Sequence, residues 1–136
     1  MTLFAASKLL NVHPDLVRLA AACGRRCDVQ VVEGARSLSA EEGAIAAGRS
    51  GLRDAANSKH VLTSERTQAL ALDLAPVPLV WSDIPAFVSL ATVVLSCASE
   101  LGIAVTWGGS WPHFRDYDHF ELIRDYTHFE HTSANV

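Results

Sequence analysis

The segment Ala69-Leu70-Ala71-Leu72-Asp73-Leu74-Ala75 gives the clearest indication of how this chain folds. A short apolar run that is followed by Pro76 and Pro78 predicts a buried strand over residues 70–74. One carboxylate, that of Asp73, interrupts the run. Buried carboxylates are rare unless they are paired with a cation or bound to a metal. Asp73 therefore predicts a partner of one of these two kinds.

Helices are predicted on both sides of this strand. The first begins at Pro14 and stops at Gly24, with an apolar stripe between them. A capping box at residues 39–42 predicts a second helix, which runs to residue 47. A long helix begins after Ser82 or Asp83, and its apolar stripe is expected to face a core: Ile84, Phe87, Ala91, Val94, Ala98 and Leu101.

Further strands are predicted over residues 28–32, 103–107 and 119–123. Helices and short, non-alternating strands in this order predict an α+β domain, in which one small, largely antiparallel sheet packs against helices. The chain shows no repeat and no linker long enough to divide it, so residues 1–136 are expected to form one domain.

Composition and charge exclude several classes of protein. A formal net charge of −4 gives no electrostatic footprint for nucleic acid. The N-terminus lacks a basic start and a long apolar run, which argues against an ordinary secretory signal. The uncharged stretch 84–99 is short for a membrane span and suits a core helix. Cys23, Cys27 and Cys97 form no CxxC pair and are expected to be buried, reduced thiols.

Two histidines lie in short motifs that could join Asp73 at one metal ion. His60 ends the motif Ser58-Lys59-His60, and His119 begins a predicted strand. A catalytic zinc takes three protein ligands and leaves a fourth position open for water. The remaining histidines have simpler explanations, a helix cap for His13 and a polar chain end for the His128 and His131 pair.

Acidic residues around His119 are candidates for the general base. Asp116, three residues before His119, could take a proton from water. Asp118 is expected to point away from the site if the segment is extended, because neighbouring side chains in a strand face opposite sides. Glu121 falls on the same strand face as His119 and could orient a ligand, contact substrate, or act as the base instead.

The chain resembles the phage-type L-alanyl-D-glutamate peptidases, which are endolysins related to the zinc D-alanyl-D-alanine carboxypeptidases. The resemblance runs from about residue 7 to 122, in the family's order. Its pieces are Val12-His13-Pro14-Asp15-Leu16-Val17, Val32-Glu33-Gly34-Ala35-Arg36-Ser37, Gly48-Arg49-Ser50, Ser58-Lys59-His60, Ala71-Leu72-Asp73-Leu74-Ala75-Pro76, Leu101-Gly102-Ile103, Trp107-Gly108-Gly109-Ser110-Trp111 and His119-Phe120-Glu121-Leu122.

This resemblance implies a Hedgehog/D-Ala-D-Ala peptidase-like fold and a single zinc peptidase domain without a separate wall-binding domain. It implies that His60, Asp73 and His119 bind Zn²⁺ and that Asp116 is the base. The implied reaction is cleavage of the L-Ala–D-Glu bond of peptidoglycan stem peptides, causing host cell lysis. The protein is expected to be a monomer made in the host cytoplasm that acts on the cell wall after release, without membrane insertion.

One departure from the family pattern concerns spacing. Asp73 follows His60 by thirteen positions, where the family has seven. Arg66 stands seven before Asp73 and cannot bind zinc, because a guanidinium offers only donors. Either six residues are inserted after His60, or the site is damaged. We favour the insertion, and expect residues 61–67 to form a loop that protrudes beside the cleft rather than part of the core.

Arg36 and Ser58 complete the candidate site. Arg36 ends a predicted strand and suits a substrate carboxylate or a developing oxyanion, with a structural salt bridge to Glu33 or Glu41 as the alternative. Ser58 is expected to form a hydrogen bond near the site rather than act as a nucleophile. Two other functions stay open: a D-Ala-D-Ala carboxypeptidase or dipeptidase, and a catalytically inactive, zinc-structured module that binds peptidoglycan.

Overall fold

A computed structural model describes residues 1–37, 46, 58–112 and 115–123 of the chain. Within these residues, five strands form one mixed sheet in the order β1-β2-β3-β5-β4. The strands are β1 (Leu3–Phe4), β2 (Val29–Glu33), β3 (Ala71–Pro76), β4 (Val105–Trp107) and β5 (His119–Leu122). Only the β1–β2 pair is parallel; the other pairs are antiparallel. The predicted α+β class and largely antiparallel sheet are confirmed.

Two α-helices, α1 (Pro14–Gly24) and α2 (Ile84–Leu101), pack against the sheet and share its core. Leu72 and Leu74 of β3 and Phe120 of β5 are buried in this core. Side chains alternate along a strand, so the residues between them face the other side of the sheet. Asp73 and His119 are direct partners across β3 and β5 on that second side. The sheet thus separates a helix-covered core from a face that carries polar groups.

Several predicted elements are confirmed in detail. The His13 side chain caps α1 by accepting a hydrogen bond from the backbone N–H of Asp15 at 3.1 Å. Asp83 caps α2 in the same way, accepting from the N–H of Ala86 at 3.2 Å. Gly102 ends α2 with φ of 71°, a left-handed conformation that favours glycine.

The stripe predicted for α2 is correct in its middle and wrong at its start. Phe87, Ala91, Val94 and Ala98 are buried, whereas Ile84 is 42% exposed because the first turn extends past the core. The helix is long and apolar enough to cross a membrane by length and composition alone. Its contacts with α1 and β3 favour a core helix, and the absence of membrane insertion stays a prediction.

Other expectations meet the structure unevenly. Cys23, Cys27 and Cys97 are free thiols, as expected, and Cys23 and Cys97 are buried; the prediction of burial is wrong for Cys27, which is partly exposed. Strand β1 is not predicted from the sequence, since two residues are too few to show a period. The helix predicted from the capping box at residues 39–42 lies largely outside the described residues, as do His113 and the pair at positions 128 and 131.

Candidate metal centre

Three of the predicted site residues meet on the polar face of the sheet. Asp73 projects from β3 and His119 from the start of β5, while His60 reaches them from the chain before β3. His60 Nε2 lies 3.2 Å from Asp73 Oδ1 and 3.2 Å from His119 Nδ1, and the third side of this triangle is 3.1 Å. Both histidines are buried. The arrangement could hold a metal ion.

Each histidine has one inner ring nitrogen, which faces the triangle, and one outer ring nitrogen, which faces away from it. The outer nitrogens are held by hydrogen-bond acceptors. His60 Nδ1 lies 2.7 Å from the carbonyl oxygen of Gly34, and His119 Nε2 lies 2.9 Å from Glu121 Oε1. A carbonyl or carboxylate oxygen only accepts, so each outer nitrogen carries its proton and donates it. In a neutral imidazole the inner nitrogen is then a lone pair. When both imidazoles are neutral, two lone pairs and the Asp73 carboxylate therefore face one another.

Such a triangle of acceptors needs a cation to hold it together. A tetrahedral zinc with ligands at 2.0–2.1 Å separates neighbouring ligand atoms by about 3.3 Å. The observed separations of 3.1 to 3.2 Å agree with that spacing. The donor set of two imidazoles and one carboxylate also suits a catalytic zinc, with a further position left for water. The residues present fit the metal that the family implies.

The pKa values of His119 and Asp73 also indicate that the cluster favours a cation. Burial lowers the pKa of His119, but hydrogen bonds to Asp73 and Glu121 outweigh it and raise the pKa to about 10. Burial raises the pKa of Asp73, but hydrogen bonds to His119 and His60 outweigh it and hold the pKa below its usual range. Without a metal, His119 therefore carries the proton that balances its carboxylate neighbours. A proton on His119 Nδ1 and a metal ion compete for one place.

Glu121 belongs to a chain of contacts behind His119. Its second oxygen lies 2.8 Å from Lys59 Nζ, and Lys59 also donates to the carbonyl of Leu122 at 2.6 Å. Burial raises the pKa of Glu121, but hydrogen bonds to His119 and Lys59 outweigh this effect and lower the pKa to about 2. Glu121 is therefore an anion with one oxygen on a histidine and the other on a cation. Lys59 was not singled out from the sequence, although it stands beside His60 in the Ser58-Lys59-His60 motif.

The backbone around Arg36 fixes His60. The N–H of Arg36 donates to the carbonyl of His60 at 2.8 Å, and Ser58 Oγ accepts from the N–H of His60 at 3.3 Å. Arg36 Nε lies 3.5 Å from Glu33 Oε1, so the salt bridge to Glu33 that was kept as an alternative is present. A substrate-binding role for Arg36, Ser58 or Glu121 stays a prediction.

Asp116 lies at the edge of the cluster, with Oδ2 4.0 Å from His119 Nδ1 and its side chain 32% exposed. Gly108 permits this approach, because a Cβ there would lie 2.4 Å from the carbonyl oxygen of Asp116 and 3.2 Å from Cβ of His119. The centre of the Trp111 ring lies 5.1 Å from the centre of the His119 ring, so Trp111 lies at the side of the site.

The expectation that Asp118 points away from the site is wrong. Residues 117–118 form a turn and β5 begins only at His119, so the alternation of an extended strand does not apply. Burial raises the pKa of Asp118 to about 9, and a hydrogen bond with Asp116 and the charge of Asp73 add to the shift. A neutral, buried carboxyl therefore stands beside Asp116.

The loop predicted over residues 61–67 is partly wrong. Val61 is fully buried and forms a bridge with Arg36, so the loop begins only after it. Ser64 and Glu65 are exposed, as expected for a protruding tip. Arg66 turns back to donate to the carbonyl of Ser58 at 2.7 Å. His60 and Asp73 converge although Asp73 follows His60 by thirteen positions.

The fold and the cluster together define a small α+β domain with a candidate metal centre. The solved structure of the Serratia marcescens L-Ala D-Glu endopeptidase ChiX is similar, with a TM-score of 0.71 and 32% sequence identity, covering 92% of this chain and 93% of that chain. The L-alanyl-D-glutamate peptidase of Escherichia phage T5 is 31% identical over 126 residues, which are 86% of this chain and 84% of that relative.

The family described as phage L-alanyl-D-glutamate peptidase matches residues 2–132. The chain belongs to this family. The resemblance inferred from the ordered motifs is therefore confirmed, and so is the expectation of a peptidase.

Proposed function

We propose that this protein is a zinc-dependent endopeptidase that hydrolyses the L-Ala–D-Glu amide bond of peptidoglycan stem peptides, and that it serves a phage as an endolysin. The observation that carries the proposal is the triangle of acceptors formed by His60, Asp73 and His119, with sides of 3.1 to 3.2 Å. The substrate follows from the two relatives, which are an L-alanyl-D-glutamate peptidase and an L-Ala D-Glu endopeptidase.

In this proposal His60 Nε2, Asp73 Oδ1 and His119 Nδ1 hold the zinc. When bound, the metal supplies a Lewis acid that polarises the amide carbonyl and lowers the pKa of water from about 15.7 to about 7. Gly34 and Glu121 orient the two rings through their outer nitrogens, as partners of metal-binding histidines commonly do.

Asp116 is the general base of the proposed reaction. It lies beside the cluster and is exposed enough to meet a water, with Oδ2 4.0 Å from His119 Nδ1. It takes the proton from the attacking water and returns it to the leaving amine. Asp118, which is buried and has its pKa raised to about 9, lies beside Asp116. Arg36 stabilises the developing oxyanion or holds the substrate's carboxylate.

Made in the host, the enzyme would reach the cell wall after release and degrade it as a monomer. No separate wall-binding domain is needed in this proposal, because the catalytic cleft itself recognises the stem peptide.

Mass spectrometry of purified peptidoglycan after digestion tests bond and activity together. We expect fragments that begin with D-Glu, glycan strands that retain L-Ala, loss of both products after chelation, and their return with zinc. Release of D-Ala would instead identify a carboxypeptidase. Stoichiometric zinc without any product would identify an inactive binding module.

Metal analysis of variants tests the ligand assignment separately. We expect His60→Ala and His119→Ala each to lose zinc, while His131→Ala, a matched change outside the described residues, keeps it. Full zinc retention by His60→Ala would place the metal elsewhere and favour the His128 and His131 pair.

A further inference from the structure

A cavity of about 550 Å³ lies next to the metal centre, between the 3₁₀ helix Ala6–Leu9, the end of β2 and Leu62. None of the three proposed metal ligands lines it. Its polar lining consists of Ser7, Lys8, Asn11, Glu33, Arg36 and Ser37. The roles proposed above use only Arg36 from this set.

The cavity and the metal centre share a wall. Gly34 lines the cavity, and its carbonyl oxygen holds Nδ1 of His60 at 2.7 Å. Arg36, also in the lining, donates its N–H to the carbonyl of His60 at 2.8 Å. The segment that lines the cavity is therefore the one that holds His60 at the metal centre.

The wall opposite β2 is held in place by unusual backbone. The 3₁₀ helix Ala6–Leu9 is flanked by Ala5 with φ of 58° and Asn11 with φ of 62°. Non-glycine residues in this left-handed region are uncommon and cluster at functional sites. A Cβ on Gly34 would lie 2.2 Å from the carbonyl oxygen of Lys8, so the helix packs directly on Gly34. The backbone of Lys8 is thereby placed at the cavity.

The described part of the cavity lining is positively charged in a chain of net charge −4. Among the described residues, the lining has two cations, Lys8 and Arg36, and one anion, Glu33, which leaves +1. Glu33 lies near Arg36, at 3.5 Å from its Nε. Lys8 Nζ donates instead to a neutral group, the carbonyl of Val32, at 3.3 Å. No described carboxylate lies within ion-pair distance of Lys8, and an ammonium has three donors to offer.

We propose that this cavity is a subsite for a free carboxylate of the peptide substrate and that Lys8 is a specificity-determining residue within it. The proposal rests on the proposed function. A D-Glu residue has two carboxyl groups and only one enters the peptide chain, so the other is a free anion close to the scissile bond. A carboxylate on the residue after D-Glu is the second source of the same chemistry.

Three synthetic peptides separate these sources. All begin with acetyl-L-Ala–D-Glu and end in an amide. The first has the free D-Glu carboxylate and a neutral third residue. The second has that carboxylate converted to a carboxamide. The third keeps the carboxamide but has a carboxylate on the third residue. Initial rates with the zinc enzyme give KM and kcat for each peptide.

We expect Lys8→Gln to raise KM about 10-fold or more for the peptide whose carboxylate is bound, with kcat nearly unchanged. KM for the uncharged second peptide should stay the same, which also shows that the variant is folded. Lys8→Arg should restore most of the affinity. Arg18→Gln is the matched control, since it removes one cation from α1 that is paired with Asp15 and does not line the cavity.

Equal effects of Lys8→Gln on all three peptides, or no effect on any, would overturn the subsite. If the wild type cleaves none of them at the L-Ala–D-Glu bond, the proposed function fails instead. The subsite is then judged by calorimetric titration of the same peptides into wild type and Lys8→Gln. Tighter binding of a carboxylate peptide than of the second peptide, lost in the variant, supports the subsite, and equal binding overturns it.

Discussion

Replacing Glu121 with Gln should weaken zinc binding and leave the chemistry of the zinc-loaded enzyme largely intact. Glu121 Oε1 accepts the outer proton of His119 at 2.9 Å, and a glutamine can keep this hydrogen bond through its amide oxygen. What the variant loses is the negative charge, and with it part of the basicity of His119. The amide NH₂ would also face Lys59, where the carboxylate oxygen now lies 2.8 Å from Nζ.

The expected size follows from this arrangement. Loss of an outer partner of a metal ligand typically costs about 10- to 100-fold in metal affinity. Lys59 already neutralises part of the Glu121 charge, so we expect the lower end, about 10-fold or about 1.4 kcal/mol. Competition with a chromophoric chelator at neutral pH measures the Kd for zinc, and kcat is then measured with zinc in excess. Glu65→Gln removes an exposed carboxylate from the loop tip and should change neither value.

The opposite result would refute this reasoning. If Glu121→Gln binds zinc as the wild type does but loses about 100- to 10,000-fold in kcat, Glu121 is the general base. The role proposed for Asp116 would then be wrong. The Kd for zinc and kcat together distinguish the two roles of Glu121. A residue that orients a metal ligand changes the metal affinity, whereas a general base changes the rate.

Asp116→Asn should keep the fold and the zinc but lower kcat by about 100- to 10,000-fold in a peptide hydrolysis assay. Gly108→Ala should lower kcat by about 100-fold, because the new Cβ would displace Asp116. Gly102→Ala is the control, since a Cβ there meets nothing within 4 Å, although φ is 71°. It should lower the free energy of unfolding by about 1 kcal/mol in chemical denaturation and leave kcat unchanged. In the metal-free protein, the pKa of His119 is raised from 6.5 to about 10 and that of Asp118 from 3.8 to about 9. Between pH 6.5 and 9 the folded state therefore binds more protons than the unfolded state. We expect Tm to fall as the pH rises through this interval. The zinc-loaded protein should lose less over this interval, because its His119 is neutral throughout; equal losses would contradict the assignment of His119 as a ligand.

The sequence predicted those parts of the fold that depend on local pattern. The core side of β3 follows from its apolar run, and placing Glu121 on the same face as His119 needed only the two-residue period of a strand. Strand β1 was missed because its two residues pair with β2 through a contact distant in sequence. Such contacts leave no local period to detect.

The errors in the site have the same origin. Asp118 was placed by treating the residues before His119 as extended, but the chain there is bent by distant contacts. Trp107 Nε1 donates to the carbonyl of Tyr117 at 2.7 Å, and the N–H of Asp116 donates to the carbonyl of Gly108 at 3.0 Å. Lys59 was overlooked for a related reason, since its importance comes from Glu121, 62 positions later in the chain.

Contacts between residues distant in sequence also explain why the long interval between His60 and Asp73 need not damage the site. Asp73 is fixed by strand pairing with His119, a contact that does not involve the loop after Val61. His60 is fixed from the opposite side, by the carbonyl of Gly34 and the N–H of Arg36 at the end of β2. Extra residues between two independently fixed ligands cost only loop-closure entropy, which grows slowly with length. Sequence spacing between metal ligands is therefore a weaker constraint than the contacts that hold each ligand.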